Sequence, residues 1–152
     1  MSLISRTERK RKEDPQNVPV LSRGQDLLVV DTTWGVIQPL EPVLGVATVG
    51  ELELIELVNA GALLVDTRVP DSRSDVTLVG AVNLPHDAIS ELMEQLSDGL
   101  NVLFCNGPQC PQTPDALRSL IAAGVPATCL RYYRGGLHDW MTLGYPTQDV
   151  DS

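Results

Sequence analysis

Two cysteines, Cys105 and Cys110, lie five positions apart in the stretch NVLFCNGPQCPQTPDALRSLIAAG, which covers residues 101–124. Cys105 follows a short apolar run at 102–104 and precedes four turn-forming residues at 106–109. The N–H groups of a tight loop and the positive end of a helix dipole both favour negative charge. We therefore expect Cys105 to lie at the mouth of the loop, outside any packed layer, with a thiol that ionises more readily than a free one. Such a thiolate is a nucleophile.

The elements around Cys105 predict where this thiol stands in the fold. Short apolar strands alternate with helical patterns, which predicts an α/β fold with a parallel sheet covered by helices on both faces. In such folds ligands bind beyond the carboxyl ends of the strands, where Cys105 is placed. The predicted helices are 51–58, 89–96, the segment ending at 123 and 138–143; the predicted strands are 62–65, 81–84, 102–104 and 128–131, with a further strand-like run at 27–30.

Length and composition indicate one domain with an extension. The chain has 152 residues, of which 43% are hydrophobic and 20% charged. Residues 1–23 combine a basic charge run with two prolines and no sustained period, so we expect a disordered basic arm. Residues 24–46 carry apolar sets broken by prolines, and we expect them to pack on the domain or on a partner subunit, with a homodimer as one possibility. The domain itself is predicted at 47–148.

The charge balance and the cysteine count exclude several classes of partner and site. The formal net charge is -9, and five of the 11 basic side chains lie in residues 1–14. We expect neither nucleic acid nor a membrane surface as partner. With no apolar run near 18 residues and no secretory signal pattern, the cytoplasm is the expected location. Three cysteines with two only five apart indicate reduced thiols, no metal site, and a buried strand position for Cys129.

Four separated segments occur in the order and spacing of one known family. They are LLVDTRVP with Asp66 and Arg68, VGAVNLPHDAI with Gly80, LFCNGPQC with Cys105, and YRGGLHDWMTLGYPT with Gly135, Gly136, Trp140, Gly144 and Pro146. Together, from about residue 47 to 147, they resemble the rhodanese-like (sulfurtransferase) family. The resemblance implies a rhodanese-like three-layer α/β fold, with a parallel five-stranded sheet and helices on both faces.

The resemblance also implies a reaction. Cys105 would carry sulfane sulfur as a persulfide, taken from thiosulfate or a persulfide donor and passed to a thiol or cyanide acceptor. No cofactor is implied, and the partners are the small donor and the acceptor. The substrate-binding loop would be Asn106, Gly107, Pro108, Gln109 and Cys110. Its N–H groups would stabilise the anionic sulfur, except at Pro108, which has none.

The chain departs from the family at one position of the loop. Many members carry an arginine five residues after the catalytic cysteine, and this chain has Cys110 there. An arginine would hold an anionic donor by paired hydrogen bonds, so its loss predicts weaker use of thiosulfate or a different donor. Arg134, before Gly135 and Gly136, could replace it, although a surface role is equally compatible with the sequence.

Alternative functions remain open at this level. Related thiolate phosphatases need an arginine six residues after the cysteine, where this chain has Pro111, so that reaction is disfavoured. Cys105 and Cys110 could form a redox pair, alongside sulfur transfer or instead of it. A non-catalytic module that senses sulfur or docks a protein would use the same fold.

Other site-adjacent residues have structural interpretations. Asp66 and Arg68 are interpreted as a supporting pair that ties loops together beneath the site, in preference to contacting substrate. Trp140 and Leu143, at helical spacing, are predicted to lie in the core.

Overall fold

The computed structural model describes residues 37–72 and 75–150, together with two short strands nearer the amino terminus. These strands are β1 (Val20–Leu21) and β2 (Leu28–Val29), which pair antiparallel. β2 lies within the strand-like run predicted at 27–30. The basic arm predicted over 1–23 falls, apart from β1, outside the described residues, and its disorder stays a prediction.

The remaining elements build an α/β domain. Along the chain they are β3 (Ala47–Thr48), α1 (Glu51–Asn59), β4 (Leu63–Asp66), β5 (Val76–Leu78), β6 (Val82–Asn83), α2 (Ile89–Gln95), β7 (Asn101–Phe104), α3 (Gln112–Ala122), β8 (Leu130–Tyr132), α4 (Gly136–Thr142) and β9 (Thr147–Asp149). Five strands form one parallel sheet in the order β3-β8-β7-β4-β6, with β7 at the centre. β5 and β9 form a separate antiparallel pair. The predicted fold class is confirmed.

Both faces of the sheet are covered, which explains the apolar runs 63–65 in β4 and 102–104 in β7. Successive side chains of β7 point to opposite faces, so Val102 and Phe104 pack in one cluster and Leu103 in the other. The first cluster contains residues of α1 and α4, including Leu54 and Trp140. The second contains Leu92 of α2 and three residues of α3, which are Ala116, Leu117 and Leu120.

Several local predictions differ from the structure. The strand predicted at 128–131 begins only at Leu130, because Ala127–Cys129 form a 3₁₀ turn after Pro126. Cys129 is therefore partly exposed, and its predicted buried strand position is wrong. Trp140 is buried as predicted, but Leu143 is 59% exposed, since α4 ends one residue before it. The edge strand β3 was not predicted, because two residues carry no periodicity.

Residues 37–46 of the amino-terminal extension pack on the domain of their own chain. Val46 is fully buried in the cluster that contains α2 and α3, and Val43 packs against the same cluster. Ile37, Leu40 and Leu44 of this segment stay exposed. Packing of the extension on a partner subunit, with a homodimer as its result, stays a prediction. Over the described ranges, no helix has the length and apolarity needed to cross a membrane.

Candidate active site

Cys105 directly follows β7, the central strand, at the carboxyl end of the sheet. The loop 106–110 leads from it to α3, and the Cys110 N–H donates to the carbonyl of Gly107 at 3.0 Å, which closes a turn. Two N–H groups of α4 hold the loop: Leu137 donates to the carbonyl of Cys105 at 3.0 Å, and His138 to that of Asn106 at 2.8 Å. The loop is thus fixed by backbone hydrogen bonds from a neighbouring helix.

Gly136 allows α4 to approach the loop this closely. Its φ of +60° is a left-handed conformation that side-chain-bearing residues rarely adopt. A Cβ at this position would lie 2.4 Å from the carbonyl oxygen of Cys105 and 2.7 Å from the nitrogen of Gly107. The glycine therefore satisfies both a backbone requirement and a steric one.

The two loop cysteines lie in contact inside the protein. Cys105 is 1% exposed and Cys110 6% exposed. The Cys105 thiol donates to the carbonyl oxygen of Cys110 at 3.5 Å. The expectation that Cys105 lies at the loop's mouth, outside a packed layer, is wrong. The turn residues 106–108 fold inward with the cysteine and are themselves buried.

Burial also reverses the expected ionisation of Cys105. Desolvation by burial raises the pKa of Cys105 well above that of an ordinary thiol, and the hydrogen bond and charge of Cys110 raise it further. The hydroxyl and N–H of Thr113, in the first turn of α3, oppose this rise without overcoming it. The predicted donors at the helix start are therefore present, but desolvation outweighs them.

Cys110 shifts in the opposite direction. The hydrogen bond from the Cys105 thiol lowers the pKa of Cys110, against the effect of its own burial, and the N–H groups of Gln112 and Asn106 lower it further. The positive charge of Arg68 acts in the same sense. Two adjacent buried sulfurs cannot both be charged without strong repulsion, so the pair loses one proton readily and holds the other.

Thr113 connects Cys105 to a second buried hydroxyl. The Thr113 hydroxyl lies 2.8 Å from that of Thr67, which lies 3.0 Å from the carbonyl oxygen of Phe104. The Thr67 N–H donates to the same carbonyl at 2.9 Å. Because the Thr67 hydroxyl also donates to it, these buried polar groups connect the first turn of α3 to the end of β7.

Asp66 and Arg68 form a fully buried bidentate ion pair. The Arg68 Nε donates to Asp66 Oδ1 at 2.9 Å, and its Nη2 donates to Oδ2 at 2.7 Å. The same guanidinium donates to Asn106 Oδ1 in the loop at 3.0 Å and to the carbonyl of Val76 in β5 at 2.8 Å. Thr77 donates to Asp66 Oδ2 at 2.8 Å. Arg68 therefore joins the loop to β4 and β5.

The outer side of the loop is held by the amino-terminal extension. The Gln38 N–H donates to the carbonyl of Pro108 at 2.6 Å, and its side-chain amide donates to the carbonyl of Gln109 at 3.3 Å. Arg134 donates to the carbonyl of Gln38 at 3.0 Å. Arg134 thus supports the segment that covers the loop, and its substitution for the missing loop arginine stays a prediction.

A cleft of about 620 Å³ opens beside the loop, over the ends of β3 and β8. Neither cysteine lines this cleft. Arg134 and Gly135 line it, and they directly precede α4, the helix that holds the loop. The lining of the cleft includes three acidic residues, Glu41, Glu51 and Asp139, and one arginine. Within residues 37–72 and 75–150, no three His, Cys, Asp or Glu side chains are grouped to hold a metal ion.

Three residues that contact the site were missed by the sequence analysis. Thr113 carried a usable signal, since a hydroxyl in the first turn of a helix that follows a reactive cysteine lies near the sulfur. Thr67 lay between the two residues singled out on β4, but its orientation toward α3 depends on the twist of the sheet. Gln38 carried no sequence signal, because its contact with the loop joins positions that are 71 residues apart.

Comparison with known proteins agrees with this architecture. Solved structures with the same fold include a protein of Bacillus halodurans (TM-score 0.58, 18% identity, 68% of this chain and 77% of that chain). A thiosulfate sulfurtransferase of Pseudomonas aeruginosa matches with TM-score 0.56 and 19% identity over 68% of this chain and 20% of that one. The rhodanese-like domain of an Anabaena protein matches with TM-score 0.55 and 22% identity over 69% and 81%.

A search of curated protein sequences finds no match. The family model of the rhodanese-like domain, in contrast, matches residues 51–143. That range runs from the start of α1 to the end of α4 and includes Cys105, its loop and the Asp66–Arg68 pair. The chain belongs to the rhodanese-like domain family.

Proposed function

We propose that this protein is a sulfurtransferase that carries sulfane sulfur as a persulfide on Cys105. The observation that supports this most is the position of Cys105, directly after the central strand and in the loop that leads into α3. The N–H and hydroxyl of Thr113 act to lower the pKa of its thiol. These donors lie at the start of α3, where the helix dipole favours an anionic sulfur.

The reaction requires two displacements at sulfur. The remaining proton of the thiol pair is on Cys105, and it passes to Cys110 as the Cys105 Sγ attacks the sulfane sulfur of the donor. The donor's S–S bond breaks, and sulfite or a thiolate leaves with the electron pair. An acceptor thiol or cyanide then attacks the outer sulfur of the persulfide, and Cys105 leaves as thiolate. The Thr113 N–H would stabilise the anionic sulfur in both steps.

The charges around the site favour a persulfide donor over thiosulfate. Cys110 occupies the loop position where an arginine would bind an anionic donor, and the Arg68 guanidinium is engaged by Asp66 and Asn106. The neighbouring cleft is lined by three carboxylates and one arginine, so its net charge is negative. A negative cleft repels a doubly charged anion such as thiosulfate. We expect a second-order rate constant for sulfur uptake from glutathione persulfide at least about tenfold above that for thiosulfate.

Intact mass of the reduced protein, measured after exposure to each donor, tests the proposal. All variants carry Cys129→Ser, so that only the two loop cysteines remain. Cys110→Ser protein should gain one sulfur, and Cys105→Ser protein should gain none. If no variant gains sulfur from either donor, sulfur transfer at this loop is excluded.

A binding module is the second candidate, because Cys105 is only 1% exposed and a donor must displace part of the loop to reach it. In that case the protein would bind a partner or a sulfur species without forming a persulfide. The absence of sulfur uptake, with a folded protein by circular dichroism, would favour the module.

A further inference from the structure

We propose that Cys110 is a resolving thiol, which attacks the Cys105 persulfide to form a Cys105–Cys110 disulfide and release hydrosulfide. The inference rests on the proposed function, since it needs a persulfide on Cys105. It assigns a role to the one nucleophile in the site that sulfur transfer does not use.

The geometry of the loop places Cys105 and Cys110 in contact before any reaction. The Cys105 thiol donates to the carbonyl oxygen of Cys110 at 3.5 Å, and each thiol shifts the pKa of the other. The turn between them is closed by the Cys110 N–H and held from α4 through the carbonyls of Cys105 and Asn106. Cys110 is therefore presented to the inner sulfur of the persulfide without a large rearrangement.

The surroundings favour attack from within the loop over attack from solvent. Both cysteines are almost fully buried, so an external acceptor must enter a closed site to reach the outer sulfur. Cys110 is already there, and groups held in contact react as if at very high concentration. The N–H groups of Gln112 and Asn106 and the charge of Arg68 favour its thiolate, which is the attacking form.

The step is balanced without an external oxidant. When Cys105 has taken up sulfur, Cys110 holds the proton of the pair, and this proton passes to the anionic outer sulfur. The Cys110 thiolate attacks the Cys105 Sγ, a bond forms between these two atoms, and the bond from Cys105 to the outer sulfur breaks. The outer sulfur leaves with the electron pair as hydrosulfide. It is reduced by two electrons, and the two cysteine sulfurs are oxidised to the disulfide.

If Cys110 is a resolving thiol, the protein needs one class of reaction to supply its substrate and another to restore its thiols. A reaction that forms low-molecular-weight persulfides must supply the sulfur. A dithiol reductant must then exchange with the Cys105–Cys110 disulfide, taking the two oxidising equivalents and restoring both thiols. The net reaction is reduction of sulfane sulfur to sulfide by a dithiol.

A single-turnover experiment tests the inference. Reduced Cys129→Ser protein receives one equivalent of glutathione persulfide without oxygen, is desalted at once, and is followed by non-reducing intact mass and by a sulfide probe. We expect loss of two hydrogens from the protein and one sulfide per chain. The Cys110→Ser variant should keep the added sulfur, with sulfide release slowed at least about tenfold.

The controls separate this inference from the proposed function. Cys110→Ala is measured beside Cys110→Ser, so that the result does not depend on one substitution folding. A stable added sulfur on Cys129→Ser protein, with no sulfide released, would overturn the resolving role and leave sulfur transfer intact. No sulfur uptake by either Cys110 variant would overturn both. A disulfide formed without sulfide would show oxidation by another route and would also overturn the resolving role.

Discussion

At the scale of single residues, the site depends on polar groups that are buried but mutually satisfied. Arg68 bonds Asp66, the loop residue Asn106 and the backbone of β5, and the ion pair of Arg68 and Asp66 is fully buried. Buried charges are tolerated only when they are paired and hydrogen-bonded in this way. Thr113 has a comparable place beside Cys105, as a neutral donor to a sulfur that burial otherwise keeps protonated. Two predictions concern these residues.

Replacing Thr113 with valine should slow the reaction of Cys105. Valine keeps the shape of the side chain but removes the hydroxyl that lowers the pKa of Cys105, so that pKa rises further and less thiolate is present at neutral pH. We expect the rate of sulfur uptake in the Cys110→Ser background to fall roughly three- to tenfold, with its pH profile shifted upward. Thr128→Val, at an exposed position, is the control. An unchanged profile would remove Thr113 from the site.

Replacing Arg68 with methionine should destabilise the whole domain. It leaves the Asp66 carboxylate buried without its partner and releases Asn106 from β4. Breaking such a pair costs about 3–5 kcal/mol in the free energy of unfolding, measured by urea denaturation. Arg118→Met breaks the exposed pair with Asp115 and should cost about 0–1 kcal/mol. Equal losses for the two variants would contradict the role given to Arg68.

At the scale of elements, the contact of α4 with the loop decides the shape of the site. The helix starts at Gly136, and its first N–H groups bind the carbonyls of Cys105 and Asn106 at 2.8–3.0 Å. This contact explains the glycine at position 136, the first residue of the helix. Any side chain there would separate the helix from the loop.

Replacing Gly136 with alanine should therefore damage both stability and reactivity. The new Cβ clashes with the backbone of Cys105, in addition to the strain at positive φ, which by itself costs about 1–2 kcal/mol. Gly144→Ala supplies the matched control, because Gly144 has φ +81° but open space around the added Cβ. We expect Gly136→Ala to have the lower Tm and to lose sulfur uptake, whereas Gly144→Ala keeps it. If the two variants have the same Tm and the same sulfur uptake, backbone strain alone explains the effect and the clash with the loop does not contribute.

At the scale of the whole molecule, two buried phenols set an upper limit on the pH at which the fold is stable. Tyr132 and Tyr133 are 0% and 1% exposed, and they pack on opposite faces of the sheet. Burial raises the pKa of both above its ordinary value, and the charges of Cys105 and Cys110 add to the effect at Tyr132. The folded state therefore keeps these protons at a pH where the unfolded chain loses them.

Stability should decline as the pH rises above about 10, the ordinary pKa of tyrosine. Below that pH both states hold the phenolic protons, and this contribution is fully present. Above it only the unfolded state releases them, so ΔG of unfolding falls. Tm measured from pH 7 to 11 should show this decline, with a smaller slope in Tyr132→Phe. Phenolate absorbance that appears before the protein unfolds would contradict the prediction.

The sequence by itself determined the fold class and the position of the candidate nucleophile along the chain. The short apolar runs and the amphipathic helices carry this information locally, because hydrophobic periodicity depends on neighbouring residues only. The turn residues after Cys105 and the helix that follows them were recognisable for the same reason. The short strand β3 and the 3₁₀ turn at Ala127–Cys129 were not, since neither is long enough to show a period.

Only the tertiary structure decided the environment of Cys105. Whether a loop faces solvent or folds inward depends on elements distant in sequence, here α4, β5 and the segment around Gln38. These contacts bury Cys105, so desolvation raises its pKa where local chemistry predicted a fall. They also bring Cys105 and Cys110 into contact. The spacing of the two residues in the sequence did not determine the direction of their side chains. The candidate nucleophile could be identified from local sequence, but its ionisation depends on long-range packing.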